Sequence, residues 1–214
     1  MFKALLISVS LVCWWTVHAD TLSIQAPDEV KELLTRHLRP DDFADLGDLV
    51  ANQVSERKLQ ADAAELLATE GYFSPQVTLR RDGNASRLDV DPGPRSMIGE
   101  VRIEIVGVAD ESRRQALLAG WQLPSGQPFR QTAWDKAKQA LLGELLTSEF
   151  ATARLSHTRA EVDVPARRVD LQVRVEAGPR YRFGEVQISG QKRYSDEFIR
   201  KLNRQVRPGE AYHE

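Results

Sequence analysis

A short phrase that occurs twice sets the period of this chain. Gly93-Pro94-Arg95 is followed by Gly99-Glu100-Val101, and 85 residues later Gly178-Pro179-Arg180 is followed by Gly184-Glu185-Val186. Each copy separates two stretches in which apolar and polar residues alternate. A Gly-Pro break between such stretches is typical of a joint between repeated structural units. We therefore expect an array of small modules, joined nearly end to end.

This period divides the 214 residues into two complete modules and a fragment. We expect a leader at residues 1–19, a first domain at 20–97, a second at 98–182 and the start of a third at 183–214. The third domain is expected to be truncated, because its second helix would only begin at Glu214.

Residues 1–19 have the pattern of a cleaved secretory signal peptide. Lys3 precedes an apolar run over residues 4–15, and Val17-His18-Ala19 supplies small or modest side chains before the cleavage point. The run is shorter than the ~20 residues of a spanning helix. An uncleaved N-terminal anchor is the alternative. A lipoprotein site at Cys13 is disfavoured, because Val12 occupies the position that requires a small residue.

Composition excludes several function classes. Cys13 is the single cysteine and lies in the leader, so a mature protein starting at Asp20 would have no thiolate metal site and no cysteine nucleophile. The formal net charge of −2, from 29 basic and 31 acidic residues, gives no argument for a nucleic-acid partner.

The first module is predicted to run strand, helix, helix, strand, strand. Pro27-Asp28 suits the start of the first helix, which Pro40 stops, and the second helix is expected from about Asp48 to Glu70. Asp82-Gly83-Asn84 predicts a tight turn between the last two strands. The apolar residues expected to face inward are Leu22, Ile24, Val30, Leu33, Leu34, Leu38, Val50, Val54, Leu59, Ala63, Leu66, Leu67, Tyr72, Phe73, Leu88 and Val90.

The second module repeats this order. Asp110 is expected to cap its first helix, and Thr132 with Asp135 resembles a capping box for its second. The clean alternation over residues 169–175 predicts a strand in a sheet with one covered and one wet face. The third module should start with a strand through Val186 and Ile188, followed by a helix capped by Ser195.

The repeated order resembles the polypeptide-transport-associated (POTRA) domain of the Omp85-type superfamily. It is most similar to the periplasmic part of the outer-membrane subunit of the translocation and assembly module. The resemblance depends on Gly71-Tyr72-Phe73 after the second helix, on Gly178-Pro179-Arg180-Tyr181-Arg182-Phe183-Gly184 at the second joint, and on Gly190 after Ile188. Ser148-Glu149-Phe150 departs from the Gly-Tyr-aromatic pattern expected at the corresponding place in the second module.

The resemblance implies an α+β fold of tandem POTRA domains, each with a three-stranded mixed sheet covered by two helices. It implies an exported, non-enzymatic docking array at the periplasmic face of the outer membrane, without a cofactor. Its partners would be a periplasmic or inner-membrane assembly protein and unfolded outer-membrane clients, in outer-membrane protein assembly or autotransporter secretion. In the family a membrane-embedded β-barrel follows the last domain; this sequence does not contain it.

The resemblance also places the strand after the helices at the edge of each sheet, over residues 76–81 and 153–164. Such an edge can accept an extended partner strand by backbone hydrogen bonding. Irregular alternation over residues 157–160 indicates a bulge, which is one way to protect an edge, so an edge that binds nothing is the alternative. The candidate partner-binding residues are Ala153, Leu155, His157 and Thr158. The candidate inter-domain joint, of which residues 178–184 should set the angle between modules two and three, comprises Gly93, Pro94, Gly99, Gly178, Pro179 and Gly184.

A search for chemistry finds no catalytic or metal constellation. His37, His157 and His213 are far apart in the sequence and lack a paired ligand at metal spacing. Asp89, Asp91 and Glu100 fit three positions of a calcium loop, but Gly-Pro occupies its fifth and sixth positions. Trp121 and Trp134 are expected in the core. A periplasmic enzyme or solute-binding domain is therefore disfavoured, whereas two-partner secretion transporters and division proteins remain as other POTRA carriers.

Overall fold

The predicted element order occurs twice along the chain. The computed structural model describes residues 21–38, 49–82, 85–203 and 206–213. The elements of the first module are β1 (Thr21–Gln25), α1 (Asp28–His37), α2 (Leu49–Thr69), β2 (Gln76–Asp82) and β3 (Ala85–Asp91). Those of the second are β4 (Met97–Val106), α3 (Glu111–Ala119), α4 (Gln131–Leu146), β5 (Arg154–Asp163) and β6 (Arg168–Glu176), and α5 (Asp196–Leu202) follows. The α+β assignment and the β-α-α-β-β order of both modules are confirmed.

The described residues form two compact units. One contains the chain up to Asp62 together with Val77–Asp91, and the other contains Ala63–Gln76 and everything from Pro92 onward. The end of α2 and the segment that follows it therefore pack with the second module.

In the first unit, β3 lies between β1 and β2, and β1 runs parallel to β3 with Thr21 opposite Ala85. Helix α1 carries acidic residues in its first turn and basic residues in its last, which suits the helix dipole. Its predicted stripe is confirmed: Val30, Leu34 and Leu38 are buried. The expectations for Pro40, Asp48 and Gly83-Asn84 lie outside the described residues, as do the side chains of Val50 and Val54.

The sheet of the second module has the order β4-β6-β5, with β6 parallel to β4 and antiparallel to β5. On the central strand, Val169, Leu171, Val173 and Val175 are buried, whereas the residues between them point to a face where Arg174 is exposed. The predicted sheet with one covered and one wet face is confirmed.

Helices α3 and α4 cover the apolar face of this sheet. The Asp110 carboxylate accepts from the backbone N–H groups of Ser112 and Arg113, which confirms it as the N-cap of α3. In α4, Trp134 is buried, and its ring meets the half-buried Trp121 ring edge-on at 6.1 Å. One continuous apolar cluster results, formed by Leu117, Trp134, Ala137, Leu141, Leu145, Phe150 and the inward residues of β6.

The capping box predicted at Thr132 is wrong. Helix α4 begins at Gln131, so Thr132 already lies inside its first turn and cannot occupy the cap position. The residue at that position is Arg130, which makes no side-chain cap. Asp135 instead accepts from Gln131 and pairs with Lys138 at 2.8 Å.

After the second module, the predicted cap at Ser195 is confirmed, since its hydroxyl accepts from the Phe198 N–H at the start of α5. The strand predicted through Val186 and Ile188 is wrong: residues 183–189 form no strand. In the second module the first strand is ordered by pairing with the last, and the described residues after Gly184 contain no strand that could do this. Among the described helices, none has the length and apolar character that crossing a membrane requires.

Candidate functional site

Strand β5 lies at one edge of the second sheet. Its ten residues pair on one side with β6. No strand neighbours its other side in the described part of the chain. Only Leu155 and Ala160 are partly buried, and the remaining side chains of the strand are exposed. Its outer backbone groups are thus placed where an extended polypeptide could pair with them.

A bulge interrupts this edge near its start. Leu155 lies opposite Val175, but His157 lies opposite Arg174, so Ser156 is an extra residue in the ladder. The Ser156 hydroxyl donates to the Arg174 carbonyl at 3.3 Å. The structure therefore places the irregularity just before the predicted stretch 157–160, and the regular ladder resumes from His157.

Charged side chains flank the same edge. Arg154 pairs with Glu176 on β6, and Arg159 pairs with Glu161 at 3.4 Å along the strand. At the far end, the Asp163 carboxylate accepts from the Ala166 N–H and closes the turn into β6. Both charge signs are present and paired locally, so the edge offers backbone groups rather than a field that would select one charge.

The wet face of the sheet is a set of neutralised ion pairs. Arg174 pairs with Glu104 at 3.1 Å. Arg102 donates to Glu100 at 2.6 Å, and this bond holds the pKa of the Glu100 carboxyl below its ordinary value. Within the described ranges, no group of three His, Cys, Asp or Glu side chains could hold a metal ion. Asp89, part of the weak calcium pattern, instead pairs with Arg80 and Arg87.

At the first joint, the arginine of the repeated phrase binds the end of α2. The Arg95 guanidinium lies 3.2 Å from the Glu70 carboxylate and 4.7 Å from the centre of the Tyr72 ring. Arg130 also approaches Glu70, at 3.3 Å. The Arg95 and Glu70 side chains are only 18% and 22% exposed, so solvent screens this pair less than a surface pair.

The backbone of the same joint is closely packed. The Ser96 N–H donates to the Gly71 carbonyl at 2.8 Å, and the Phe129 N–H donates to the Ser96 carbonyl at 2.9 Å. Gly71 and Gly93 have φ angles of 88° and 67°, which favour glycine. The Phe73 ring lies 5.8 Å from the Phe129 ring and packs on the core of the second module, so this predicted core residue is anchored there.

The second joint repeats these contacts. The Arg180 guanidinium lies 2.5 Å from the Glu149 carboxylate, and this bond raises the pKa of Arg180 further above its ordinary value. The Tyr181 N–H donates to the Glu149 carbonyl at 2.7 Å. Gly178 has a φ of 76°, and a Cβ there would lie 2.6 Å from the Thr152 hydroxyl.

A loop bridge recurs as well. In the second module, residues 96–98 exchange backbone hydrogen bonds with residues 126–129, around the bridge between Met97 and Pro128. After the second joint, residues 181–183 exchange the equivalent bonds with residues 209–212, around the bridge between Arg182 and Ala211. The fragment after the second joint therefore begins as the second module does.

The predicted joint residues divide by environment. Gly99 lies in a bulge of β4, where a Cβ would come within 2.4 Å of the Arg168 side chain. Gly184 has open space around it. Pro94 and Pro179 are exposed. The 85-residue recurrence thus marks one spacing, but its glycines meet different physical demands.

Sequence reasoning missed the two glutamates. Glu70 was taken as the end of a helix, and Glu149 as part of a departure from the family pattern. The available signal was that each precedes aromatic residues, Tyr72 and Phe73 in one case and Phe150 in the other. Aligning the helix ends on glutamate would have paired both with the arginines of the repeated phrase.

Both complete modules are POTRA-like in topology, with the last strand central in the sheet and parallel to the first. No protein-family model matches the sequence, and no curated protein matches it. Among solved structures, the chain is similar to POTRA domains 3–5 of Haemophilus influenzae BamA, with a TM-score of 0.46 and 16% identity over 91% of this chain and 80% of that one. It is also similar to POTRA domains 1–3 of the periplasmic domain of Omp85 from Anabaena, with a TM-score of 0.40 and 12% identity over 90% of this chain and 77% of that one.

Proposed function

We propose that this chain is a periplasmic POTRA region of an Omp85-type outer-membrane assembly protein, and that it binds extended partner or client polypeptides. Support comes from the signal-like residues 1–19 and from two successive modules with the same three-stranded sheet. A finer form of the proposal is a TamA-type subunit of the translocation and assembly module, with a role in autotransporter secretion. The junction sequence over residues 178–184 supports that finer form.

The observation that carries the binding proposal is the outer side of β5. Ten residues lie in extended conformation at the sheet edge, and eight of them are exposed. An extended peptide can add to such an edge through backbone hydrogen bonds and thereby tolerate many side-chain sequences. That property suits a protein that handles unfolded outer-membrane clients. The same chemistry requires no catalytic group and no cofactor.

Proline substitution tests this mode of binding, because proline removes a backbone donor. Successive N–H groups of a strand point to opposite sides, so of Thr158→Pro and Arg159→Pro only one removes an outward donor. The other removes a bond to β6. Leu155→Pro is less informative, because Leu155 packs against the core.

The probe is a synthetic peptide of alternating apolar and polar residues, taken from a strand of an outer-membrane protein. We expect the folded proline variant to bind it about tenfold more weakly, the equivalent of about one hydrogen bond. Thr158→Val and Arg159→Val are the matched controls and should bind as the parent does. Equal affinity in a folded proline variant with an outward donor removed, or peptide-induced NMR shifts that avoid β5, would contradict the proposal.

A further inference from the structure

The two joints share a geometry that extends beyond their glycines. Each arginine of the repeated phrase pairs with a glutamate that follows the second helix of the preceding module: Arg95 with Glu70, and Arg180 with Glu149. The two arginines are 85 residues apart, as are the glycines two positions before them. A side-chain contact that recurs at the period of the modules is a property of the joint itself.

Backbone contacts recur at the same period. The residue after each arginine donates its N–H to a carbonyl beyond the helix end, Ser96 to Gly71 and Tyr181 to Glu149. The loop bridge to residues 126–129 or 209–212 lies within the following module or fragment. Of the contacts described at each joint, the ion pair and this single N–H···O=C bond are therefore the ones that tie the linker to the preceding helix end.

We propose that this ion pair and the adjacent backbone bond form a recurrent clasp, in which the glutamate and arginine hold the linker against the helix end. The clasp consists of Glu70, Arg95 and Ser96 at the first joint, and of Glu149, Arg180 and Tyr181 at the second. The glycine with positive φ allows the chain to turn, and the clasp holds the turned chain in place. This device is independent of the binding role proposed above.

The two clasps differ in their exposure to solvent. At the first joint both charged side chains are less than a quarter exposed, whereas at the second the Arg180 side chain is 64% exposed. Salt screens exposed pairs strongly and shielded pairs much less. The second clasp is therefore the one that ionic strength and single charge changes should loosen most easily.

Amide hydrogen exchange measured by NMR on the mature chain tests the clasp at the second joint. We expect Arg180→Gln to accelerate exchange of the Tyr181 amide by about three- to fivefold, the range that an exposed ion pair supports. Glu149→Gln should have the same effect, and the two changes together should add little to either alone. The exchanged pair Glu149→Arg with Arg180→Glu should restore most of the protection.

The matched control is Arg113→Gln, which removes a pair with Glu144 of similar length, 2.9 Å, away from the joint. It should leave Tyr181 exchange unchanged, and the Leu171 amide on the central strand should keep its protection in every variant. Unchanged Tyr181 exchange in Arg180→Gln would overturn the clasp. So would an equal effect of Arg113→Gln, or loss of Leu171 protection in Arg180→Gln, because each would show a general rather than a joint-specific effect.

Discussion

Gly71 is the residue at which a side chain would be least tolerated in the first joint. Its φ is 88°, and an added Cβ would lie 2.4 Å from the Phe129 carbonyl oxygen. That oxygen belongs to the backbone, so it cannot turn away as a flexible side chain would. The glycine therefore permits two things at once, the reversal after α2 and the close approach of the loop that precedes α4.

We predict that Gly71→Ala lowers the free energy of unfolding by about 2–4 kcal/mol, from backbone strain and the clash together. Gly143→Ala is the matched control: Gly143 lies inside α4, and a Cβ there would meet nothing within 4 Å. That change should stabilise the protein by up to about 1 kcal/mol through helix propensity. Urea unfolding of both variants decides, and an unchanged midpoint for Gly71→Ala would show that the joint relaxes.

The sequence predicts the position of Gly71 but only part of its role. A glycine after a long helical pattern is a recognisable stop signal. The contact that makes alanine unacceptable comes from Phe129, which is 58 residues away in the sequence and gives no local sign of the approach. The Glu70–Arg95 pair is hidden for the same reason, since tertiary packing selects which of many charges meet.

At the scale of elements, the starts of α3 and α4 contrast. Helix α3 has a side-chain cap from Asp110, whereas α4 begins after Arg130 without one. The local pattern around Thr132 resembles a cap, but the helix extends one residue further toward its N-terminus than that pattern requires. The Arg130 guanidinium instead approaches Glu70, so a tertiary contact occupies the position where a local cap would normally lie.

We predict that Asp110→Ala destabilises the protein by about 1 kcal/mol, because two backbone N–H groups lose their acceptor. Thr132→Ala should change stability by less than about 0.5 kcal/mol, as expected for a surface position without a capping role. Thermal unfolding of the two variants measures the difference. A larger loss for Thr132→Ala than for Asp110→Ala would mean that the cap of α4 forms at Thr132 in solution.

Strands with strict alternation were predicted well, and irregular ones less so. The residues of β6 alternate without exception, and their burial follows the pattern. In β5 the extra residue Ser156 shifts the alternation, which periodicity alone locates only approximately. The strand expected at Val186 fails for another reason, since strand formation depends on a partner that local pattern cannot supply.

At the scale of the whole molecule, the leader is the feature that decides where the protein acts. Residues 1–19 lie outside the described ranges, and their interpretation depends on sequence alone. We predict that the chain, expressed in a Gram-negative cell with its export machinery, matures to a form that begins at Asp20. The intact mass of the purified protein should lack residues 1–19, and a mass that retains them would support an uncleaved anchor instead.

The interlocking of joint and module has a consequence for how such chains can be recombined. A cut beside Met97 preserves both sheets, but it separates Arg95 from the loop at Phe129 and leaves Glu70 with the wrong fragment. A cut before Glu70 preserves the joint and splits the first sheet. Grafting a foreign module into this array should therefore succeed only when the donor carries a glutamate behind its second helix and the recipient supplies Gly-Pro-Arg, so compatibility is decided by a few linker residues.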